Sequence, residues 1–239
     1  MSSTALVVGA SSKIGEVIVN YLADKGFKLI LHYNKGFERI KRVIESSNVR
    51  KQLLAIVRAD LVRDSITEFI NRVVSYGDID VAILLSAMYD ETPIDMLSEG
   101  RIKEVLELNL VSHVVLTILL GRVMRKRGKG LIVIFSDLVS LRTSNPYLGL
   151  KPSIPYIVSK AGLNTLIRFI ARELAPIRIV GIAPGWIDLP TLNKRLKEMI
   201  KSTVPAGRPA KIEEVIHVLE LVIRNEYING TVIEVSGGI

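Results

Sequence analysis

Tyr156 and Lys160 are the residues of this chain whose types and spacing most directly suggest proton transfer. Three residues separate them, and on a helix such positions share one face, so that the phenol and the ammonium lie side by side. Lowering a tyrosine pKa from about 10 to about 7 takes roughly 4 kcal/mol, which a nearby cation can supply. A tyrosine packed on a helix beside a lysine that extends to solvent has the same spacing. The pair therefore needs support from the elements that position it.

Short apolar runs alternate with helical patterns along most of the chain. Ile14 to Lys25 and Ile154 to Glu173 have the period of a helix. Most of the short runs are apolar at consecutive positions, as in strands that are covered on both faces. The alternation predicts a single-domain, Rossmann-type α/β fold over residues 1–239, with a doubly wound parallel sheet of about seven strands flanked by helices. The predicted strands are Ala5 to Val8, Lys28 to Tyr33, Leu53 to Val57, Asp80 to Ser86, Leu131 to Phe135, Ile177 to Ile182 and Thr231 to Val235.

A glycine- and serine-rich turn, Gly9 to Gly15, joins the first strand to the first helix. In a dinucleotide-binding fold this turn brings backbone amides and a helix N-terminus against a pyrophosphate. Glycine is used there because a side chain would obstruct the phosphates or forbid the backbone angles. An ordinary strand-to-helix turn also favours glycine and serine. The position of this turn on the first strand favours a phosphate site.

Composition and charge argue against several other classes of site. The chain has 239 residues, no cysteine and a net charge of +8. Thiol chemistry is excluded, and a cytoplasmic location is expected because the start lacks a signal-peptide pattern. His32, His113 and His217 are scattered, so no metal site is predicted. The densest basic run, Arg122 to Lys129, has no interleaved aromatic residues, and a solvated helix end fits it better than a nucleic-acid patch.

The longest apolar stretch, Val105 to Met124, is interrupted by polar and charged residues. These interruptions predict a buried helix and no membrane span. Two other segments are expected to be loops near the site, namely residues 140–155 and a substrate loop around residues 186–205.

Further motifs stand in order along the chain. They are Leu6 to Gly15, Asp60, Asn109, Tyr156 with Lys160, Ala183 to Asp188, and Gly237 with Gly238. Together the set resembles the short-chain dehydrogenase/reductase family over essentially the whole chain, with the β-ketoacyl-acyl-carrier-protein reductase branch as the nearest likeness. No single motif is as specific as this joint pattern.

The resemblance implies a nicotinamide cofactor laid across the carboxyl ends of the strands. Tyr156 would be the general acid that protonates the substrate oxygen, and Lys160 would hold the nicotinamide ribose. Asn109 would hold a water that links Lys160 to solvent, although a helix-interior asparagine can equally bond backbone. Asp60 would accept a hydrogen bond from the adenine amino group. The implied cofactor-binding residues are Gly9, Ser11, Ser12, Lys13, Ile14, Gly15, Asn34, Lys35, Asp60, Leu61, Ser86, Ala87, Tyr156, Lys160, Pro184, Gly185 and Ile187.

The end of the second strand bears on the choice of cofactor. An acidic residue there would bind the ribose hydroxyls of NAD and repel a 2′-phosphate. The segment Leu31 to Gly36 has no acid and offers Lys35. NADP is therefore predicted over NAD.

The chain departs from the family pattern at several positions. Lys13 stands at the middle glycine of the phosphate turn, and Ser86 and Ala87 lie where the family has an Asn-Ala pair. Asp137 aligns with the substrate-orienting serine, where a carboxylate would oppose an alkoxide. Ser136 is the preferred substitute hydroxyl, with Ser140 as the alternative. Asp137→Ser is expected to raise or preserve carbonyl reduction.

These observations predict an NADP-dependent oxidoreductase that interconverts a small-molecule carbonyl, for instance a 3-oxoacyl compound, and a secondary alcohol. The alternative is a catalytically impaired dinucleotide-binding sensor or scaffold. The resemblance implies a homo-oligomer, tetramer or dimer, joined through helices near residues 98–127 and 154–173. No nucleic-acid or membrane partner is expected.

Overall fold

The computed structural model describes residues 3–141, 152–190 and 192–239. Seven strands form one parallel sheet in the order β3-β2-β1-β4-β5-β6-β7. Their bounds are Thr4–Val8 (β1), Lys28–Tyr33 (β2), Leu53–Arg58 (β3), Val81–Leu84 (β4), Leu131–Phe135 (β5), Arg178–Pro184 (β6) and Thr231–Val235 (β7). The predicted doubly wound sheet is thereby confirmed. The order reverses between β1 and β4, which is where open α/β sheets bind ligands at the carboxyl ends of their strands.

The α-helices of the described residues cover both faces of this sheet. They are Lys13–Asp24 (α1), Phe37–Glu45 (α2), Ser47–Gln52 (α3), Ile66–Val74 (α4), Glu99–Leu106 (α5), Ser112–Arg125 (α6), Ile154–Glu173 (α7), Lys194–Thr203 (α8) and Ile212–Arg224 (α9). A π-helical turn, Glu107–Val111, joins α5 to α6. The expected loop at residues 186–205 therefore contains helix α8. The other expected loop, at residues 140–155, lies mostly outside the described residues.

Alternate residues of the strands enter two separate hydrophobic cores. Ala5 and Val7 of β1 pack with α1, α2, α3 and α9, whereas Leu6 and Val8 pack with α4, α6 and α7. Both faces of the strand are therefore buried, which explains its consecutive apolar residues.

The helical stretch Glu99–Arg125 is long and apolar enough, by composition alone, to cross a membrane. In this fold α6 lies against the sheet, where Leu116, Leu120 and Met124 are fully buried. Val105 of α5 is fully buried in a separate cluster with Tyr156. Core helices of globular proteins have the same composition, so the stretch is a weak indication of a membrane span.

Candidate active site

Tyr156 and Lys160 lie in the first turns of α7, at the carboxyl end of β5. Ser153 caps this helix, and its Oγ accepts a hydrogen bond from the Tyr156 backbone N–H at 3.4 Å. Lys160 Nζ donates to the carbonyl oxygen of Phe135 at 3.1 Å and lies 5.8 Å from the centroid of the Tyr156 ring. Both side chains are buried. The helix thus holds the phenol and the ammonium together, as their spacing predicts.

The N-terminus of α7 is tied to the segment that follows β4. Ser153 N–H donates to the Asp90 carbonyl oxygen at 2.8 Å. The buried Asp90 carboxylate accepts from Arg101 Nε at 2.7 Å and from the Thr92 hydroxyl at 2.9 Å. Burial opposes ionisation of Asp90, but its hydrogen bonds to Ser153, Arg101 and Thr92 outweigh burial and lower its pKa. This network fixes the start of the helix that carries Tyr156.

Asp137 lies directly against the phenol of Tyr156. Tyr156 Oη donates to Asp137 Oδ2 at 2.6 Å, a length typical of a strong bond to a carboxylate. The other carboxylate oxygen, Oδ1, accepts from Val139 N–H at 2.9 Å, because Asp137 caps the short 3₁₀ turn Leu138–Ser140. The local turn therefore aims the carboxylate at the tyrosine, which the sequence left open.

The two candidate hydroxyls belong to a buried polar chain that runs to α7. Ser136 Oγ donates to Asn164 Oδ1 at 2.5 Å, and Asn164 Nδ2 donates to Ser140 Oγ at 2.7 Å. Ser140 Oγ in turn donates to the Asp137 carbonyl oxygen at 2.8 Å. Ser136 lines the cavity in front of Tyr156, but its proton is directed to Asn164. A substrate-orienting role for Ser136 stays a prediction, and Asp137 holds the position beside the phenol.

Asn109 lies in the π-helical turn and bonds to backbone with both ends of its amide. Its Oδ1 accepts from Met88 N–H at 2.7 Å and its Nδ2 donates to Met88 O at 2.8 Å. The side chain is completely buried and anchors the segment after β4. This is the backbone-bonded alternative weighed from the sequence, and a water held for Lys160 stays a prediction. Single π turns are frequent near functional sites.

Burial and neighbouring charges shift the pKa values of three ionisable groups near the site. Burial lowers the pKa of Lys160, and the Asp137 carboxylate opposes that shift. Burial also lowers the pKa of His113 to about 3, with a contribution from the Lys160 cation. His113 is therefore neutral near pH 7. Burial, Glu91 and Asp137 raise the pKa of Tyr89, whose ring meets the Tyr156 ring edge-on at 5.0 Å.

Two cavities meet at the carboxyl edge of the sheet. The first has a volume of about 580 Å³ and lies over β1, β2 and the start of α2. The second has a volume of about 710 Å³ and lies before Tyr156. Ser12, Leu85 and Ala87 line both, so the cavities form one continuous groove. The groove crosses the switch point of the sheet, where a dinucleotide would lie.

Backbone atoms around the phosphate turn lie too close to Gly9 and Gly15 to leave room for side chains there. Gly9 has φ +86°, and a Cβ there would lie 2.9 Å from Ser86 N. A Cβ on Gly15 would lie 2.7 Å from the Gly9 carbonyl oxygen. Ser12 caps α1 and accepts from Gly15 N–H at 2.9 Å. Ser86 lines the first cavity, and its buried Oγ has no hydrogen-bond partner among the residues that the structure describes. A glycine cradle with an unused hydroxyl fits the phosphates and ribose of a dinucleotide.

Most of the predicted cofactor residues line this groove. Those lining the first cavity are Gly9, Ser11, Ser12, Asn34, Lys35, Leu61, Ser86 and Ala87. Those lining the second are Ser12, Ile14, Ala87, Tyr156, Lys160, Pro184, Gly185 and Ile187.

Lys13, Gly15 and Asp60 do not belong to the lining of either cavity. Gly15 acts by leaving room for the turn. The Asp60 carboxylate accepts from Val62 N–H at 3.1 Å. Burial would raise the Asp60 pKa, but this hydrogen bond and one with Asn34 lower it. Contact of Asp60 with adenine, and of Lys13 with phosphate, stays a prediction.

Two arginines of α2 were not predicted from the sequence as site residues. Arg39 and Arg42 line the first cavity together with Lys35, and Arg39 Nη1 donates to the Ser11 carbonyl oxygen at 2.7 Å. Their i, i+3 spacing just after the second strand was the available signal. These cations line the first cavity, whose described lining includes the acid Glu38 and does not include Tyr156.

His32 has a structural role that its position in the sequence did not reveal. Its Nδ1 accepts from Gly9 N–H at 3.1 Å, so its Nε2, 3.1 Å from the Ala59 carbonyl oxygen, is the nitrogen that donates. Burial lowers the His32 pKa to about 4 against the effect of the Ala59 carbonyl. The neutral ring links the phosphate turn to the end of β3. Among the described residues, no group of three His, Asp or Glu side chains is placed to hold a metal ion.

Known proteins are similar to this chain in sequence over most or all of its length. The family described as "short chain dehydrogenase" matches residues 3–201. The uncharacterized oxidoreductase YmfI of Bacillus subtilis is 29% identical over 247 aligned positions, covering 100% of this chain and 99% of that protein. The 3-oxoacyl-[acyl-carrier-protein] reductase FabG of Aggregatibacter actinomycetemcomitans is 27% identical, with 100% of both chains covered.

Solved structures share the fold. FolM alternative dihydrofolate reductase 1 from Brucella suis, in complex with NADP, superposes with a TM-score of 0.87 at 23% identity, over 99% of this chain and 94% of that one. An actinorhodin polyketide ketoreductase variant with NADPH gives 0.85 at 23% identity, over 99% and 96%.

Proposed function

This chain belongs to the short-chain dehydrogenase/reductase family, and we propose that it is an NADP-dependent oxidoreductase with Tyr156 as its proton donor and acceptor. The observation that carries the proposal is the buried Tyr156–Lys160 pair, which faces the cavity joined to the glycine cradle. A bound nicotinamide would supply or accept the hydride. The proposed reaction is the interconversion of a carbonyl and an alcohol, as in the FabG reductases and the polyketide ketoreductase to which the chain is similar.

The positive charge that lines the first cavity is the reason for proposing NADP over NAD. Lys35, Arg39 and Arg42 line the first cavity, and a 2′-phosphate would add negative charge there, which cations stabilise. The FolM and ketoreductase structures were solved with NADP and NADPH. Glu38 is the one acid among the described residues of that lining. A kcat/KM at least tenfold higher with NADPH than with NADH is expected, and the reverse order would reject this choice.

Each residue of the pair has a distinct part in the proposed mechanism. Tyr156 Oη faces the second cavity and would exchange its proton with the substrate. Lys160, held by the Phe135 carbonyl oxygen, would keep a positive charge beside the ring and favour the phenolate. Gly185 and Ile187, which line the same cavity, would border the nicotinamide. A homo-oligomeric assembly in the cytoplasm is part of the same proposal.

Tyr156→Phe tests the proposal directly. The variant keeps the ring and removes the proton, so kcat for NADPH oxidation with the best of a panel of ketones and 3-oxoacyl thioesters should fall about 100-fold or more. Quenching of Trp186 fluorescence by NADPH should persist, since Trp186 lines the second cavity. NADPH binding without turnover of any panel member would instead support the sensor or scaffold alternative.

A further inference from the structure

The hydrogen-bonding groups at Tyr156 are badly matched to a neutral carbonyl. The phenol proton is directed at the Asp137 carboxylate, and an ionised carboxylate only accepts hydrogen bonds. A carbonyl oxygen is also only an acceptor. To reach the phenol proton it would have to displace Asp137 Oδ2, and it would then become negative beside that carboxylate as hydride arrived.

The carboxylate is not free to turn away from the site. Its second oxygen is fixed by Val139 N–H at 2.9 Å, and the backbone carbonyl of the same residue accepts from Ser140 Oγ. The turn Leu138–Ser140 therefore holds an acceptor at the reacting end of the cavity.

The described part of the cavity lining carries more acids than bases. Its acidic and basic side chains are Glu91, Asp137 and Lys160. Lys160 is buried and donates to the Phe135 carbonyl oxygen, whereas Glu91 and Tyr89 are exposed. A substrate in this cavity therefore meets two carboxylates, those of Glu91 and Asp137.

The walls of the cavity suit an organic cation. Tyr89 and Tyr156 meet edge-on at 5.0 Å. Phe135 and Trp186 also line the cavity, beside Leu189, Leu192 and Leu196. Aromatic rings attract cations, and the attraction grows where water is excluded. An anionic substrate would be repelled by the carboxylates, and a neutral one would gain apolar packing but no attraction to the carboxylates.

Resting on the function proposed above, we propose that this site reduces a protonated carbon–nitrogen double bond, with Asp137 holding the nitrogen. The N–H⁺ of an iminium is a hydrogen-bond donor, which is what Asp137 Oδ2 accepts. A hydride supplied by bound NADPH would add to the carbon, the electrons of the C=N π bond would become the lone pair of nitrogen, and the products would be an amine and NADP⁺. No anion forms beside Asp137, because the hydride neutralises a cation.

The proton of the amine product follows from the same geometry. A neutral amine nitrogen formed beside Tyr156 can take the phenol proton and leave as an ammonium. The phenolate, stabilised by Lys160, is then reprotonated from solvent. Tyr156 thus keeps the role it has in carbonyl reduction, and Asp137 is the added residue that selects the substrate.

Matched substrates separate this proposal from its rivals. Methylpyrroline, a five-membered cyclic imine that is protonated near neutral pH, is compared with methylcyclopentanone, which has the same ring size and no charge. A ketone with a quaternary ammonium group remote from the carbonyl is the third substrate. We expect kcat/KM for the imine to exceed that of the neutral ketone at least tenfold. A larger value for the ammonium ketone than for the imine would overturn the proposal in favour of a remote cation site.

Asp137→Asn provides the matched variant, since asparagine keeps the shape and can still cap the turn. It should lower kcat/KM for the imine by about 10- to 100-fold and raise kcat/KM for the neutral ketone, because the carboxylate that opposes a developing alkoxide is removed. Equal losses on both substrates, with NADPH quenching of Trp186 retained, would overturn the role of Asp137. Tyr156-dependent turnover of the ketone without any of the imine would reject imine reduction and leave the proposed carbonyl activity standing. No turnover of either would reject both.

Discussion

At the residue scale, the site depends on a balance between one buried cation and one carboxylate. Burial lowers the pKa of Lys160, and Asp137 opposes that shift. Tyr156 donates to the same carboxylate and has the lysine ammonium 5.8 Å from its ring centroid. A change at Asp137 therefore alters Lys160 and Tyr156 together, and substitutions among the three will not be additive.

The pH dependence of activity should report this balance. Lys160 acts as a cation, so activity should be lost as pH rises through its pKa. Asp137→Asn removes the charge that raises the pKa, and the alkaline limb of kcat/KM should therefore move to lower pH. Glu91→Gln is the matched control, because Glu91 lines the same cavity but is not among the groups that shift Lys160. An alkaline limb that moves equally in both variants, or upward in Asp137→Asn, would contradict this assignment.

At the element scale, the sequence predicted the features that depend on local periodicity, namely the strands and the helix face of the pair. Tyr156 and Lys160 meet because i, i+4 positions on α7 share a face, and the strands were found because both of their faces are apolar. The orientation of the Asp137 carboxylate depends on the hydrogen bond that it accepts from Val139 N–H, and periodicity could not predict it. Arg39 and His32 matter only because α2 and β3 dock against the phosphate turn, which is a tertiary contact between segments distant in sequence.

His32 joins β2, the phosphate turn and the end of β3, and it makes the fold sensitive to acid. Its pKa is about 4 in the folded chain, against 6.5 for an unperturbed histidine. The unfolded chain therefore binds the proton first, and stability is lost as pH falls from about 6.5 toward about 4. Between pH 7 and pH 5 this histidine should account for about 2 kcal/mol of lost stability.

Urea unfolding of the wild type and of His32→Gln at both pH values measures this contribution. Glutamine keeps an acceptor and a donor but does not titrate in this range. The variant should be less stable at pH 7, yet it should lose about 2 kcal/mol less than the wild type on going to pH 5. The buried His113 is present in both proteins and cancels in the difference. Parallel losses in the two proteins would show that His32 is not the acid-sensitive group.

At the scale of the whole molecule, one helix carries a stripe of apolar side chains that the described residues leave exposed. Ile154, Val158 and Phe169 of α7 are exposed and fall on one stripe, since their separations of four and eleven residues are close to whole helical turns. Val111, in the turn before α6, is exposed as well. Contiguous exposed apolar side chains on a helix indicate a protein–protein contact, and a second copy of this chain is the partner that the family resemblance implies.

Phe169→Asp tests whether this face joins copies of the chain. Phe169 is 74% exposed in the single chain, and burial in an interface stabilises an apolar side chain by about 25 cal/mol per Å² of area removed from water, whereas a carboxylate there would have to be desolvated. Sedimentation velocity should show the wild type at two or four times its 26.5 kDa chain mass and the variant shifted toward the monomer. Tyr227→Asp is the control, because Tyr227 is an aromatic residue 99% exposed outside this stripe. A monomeric wild type, or dissociation by the control alone, would place the assembly elsewhere or remove it.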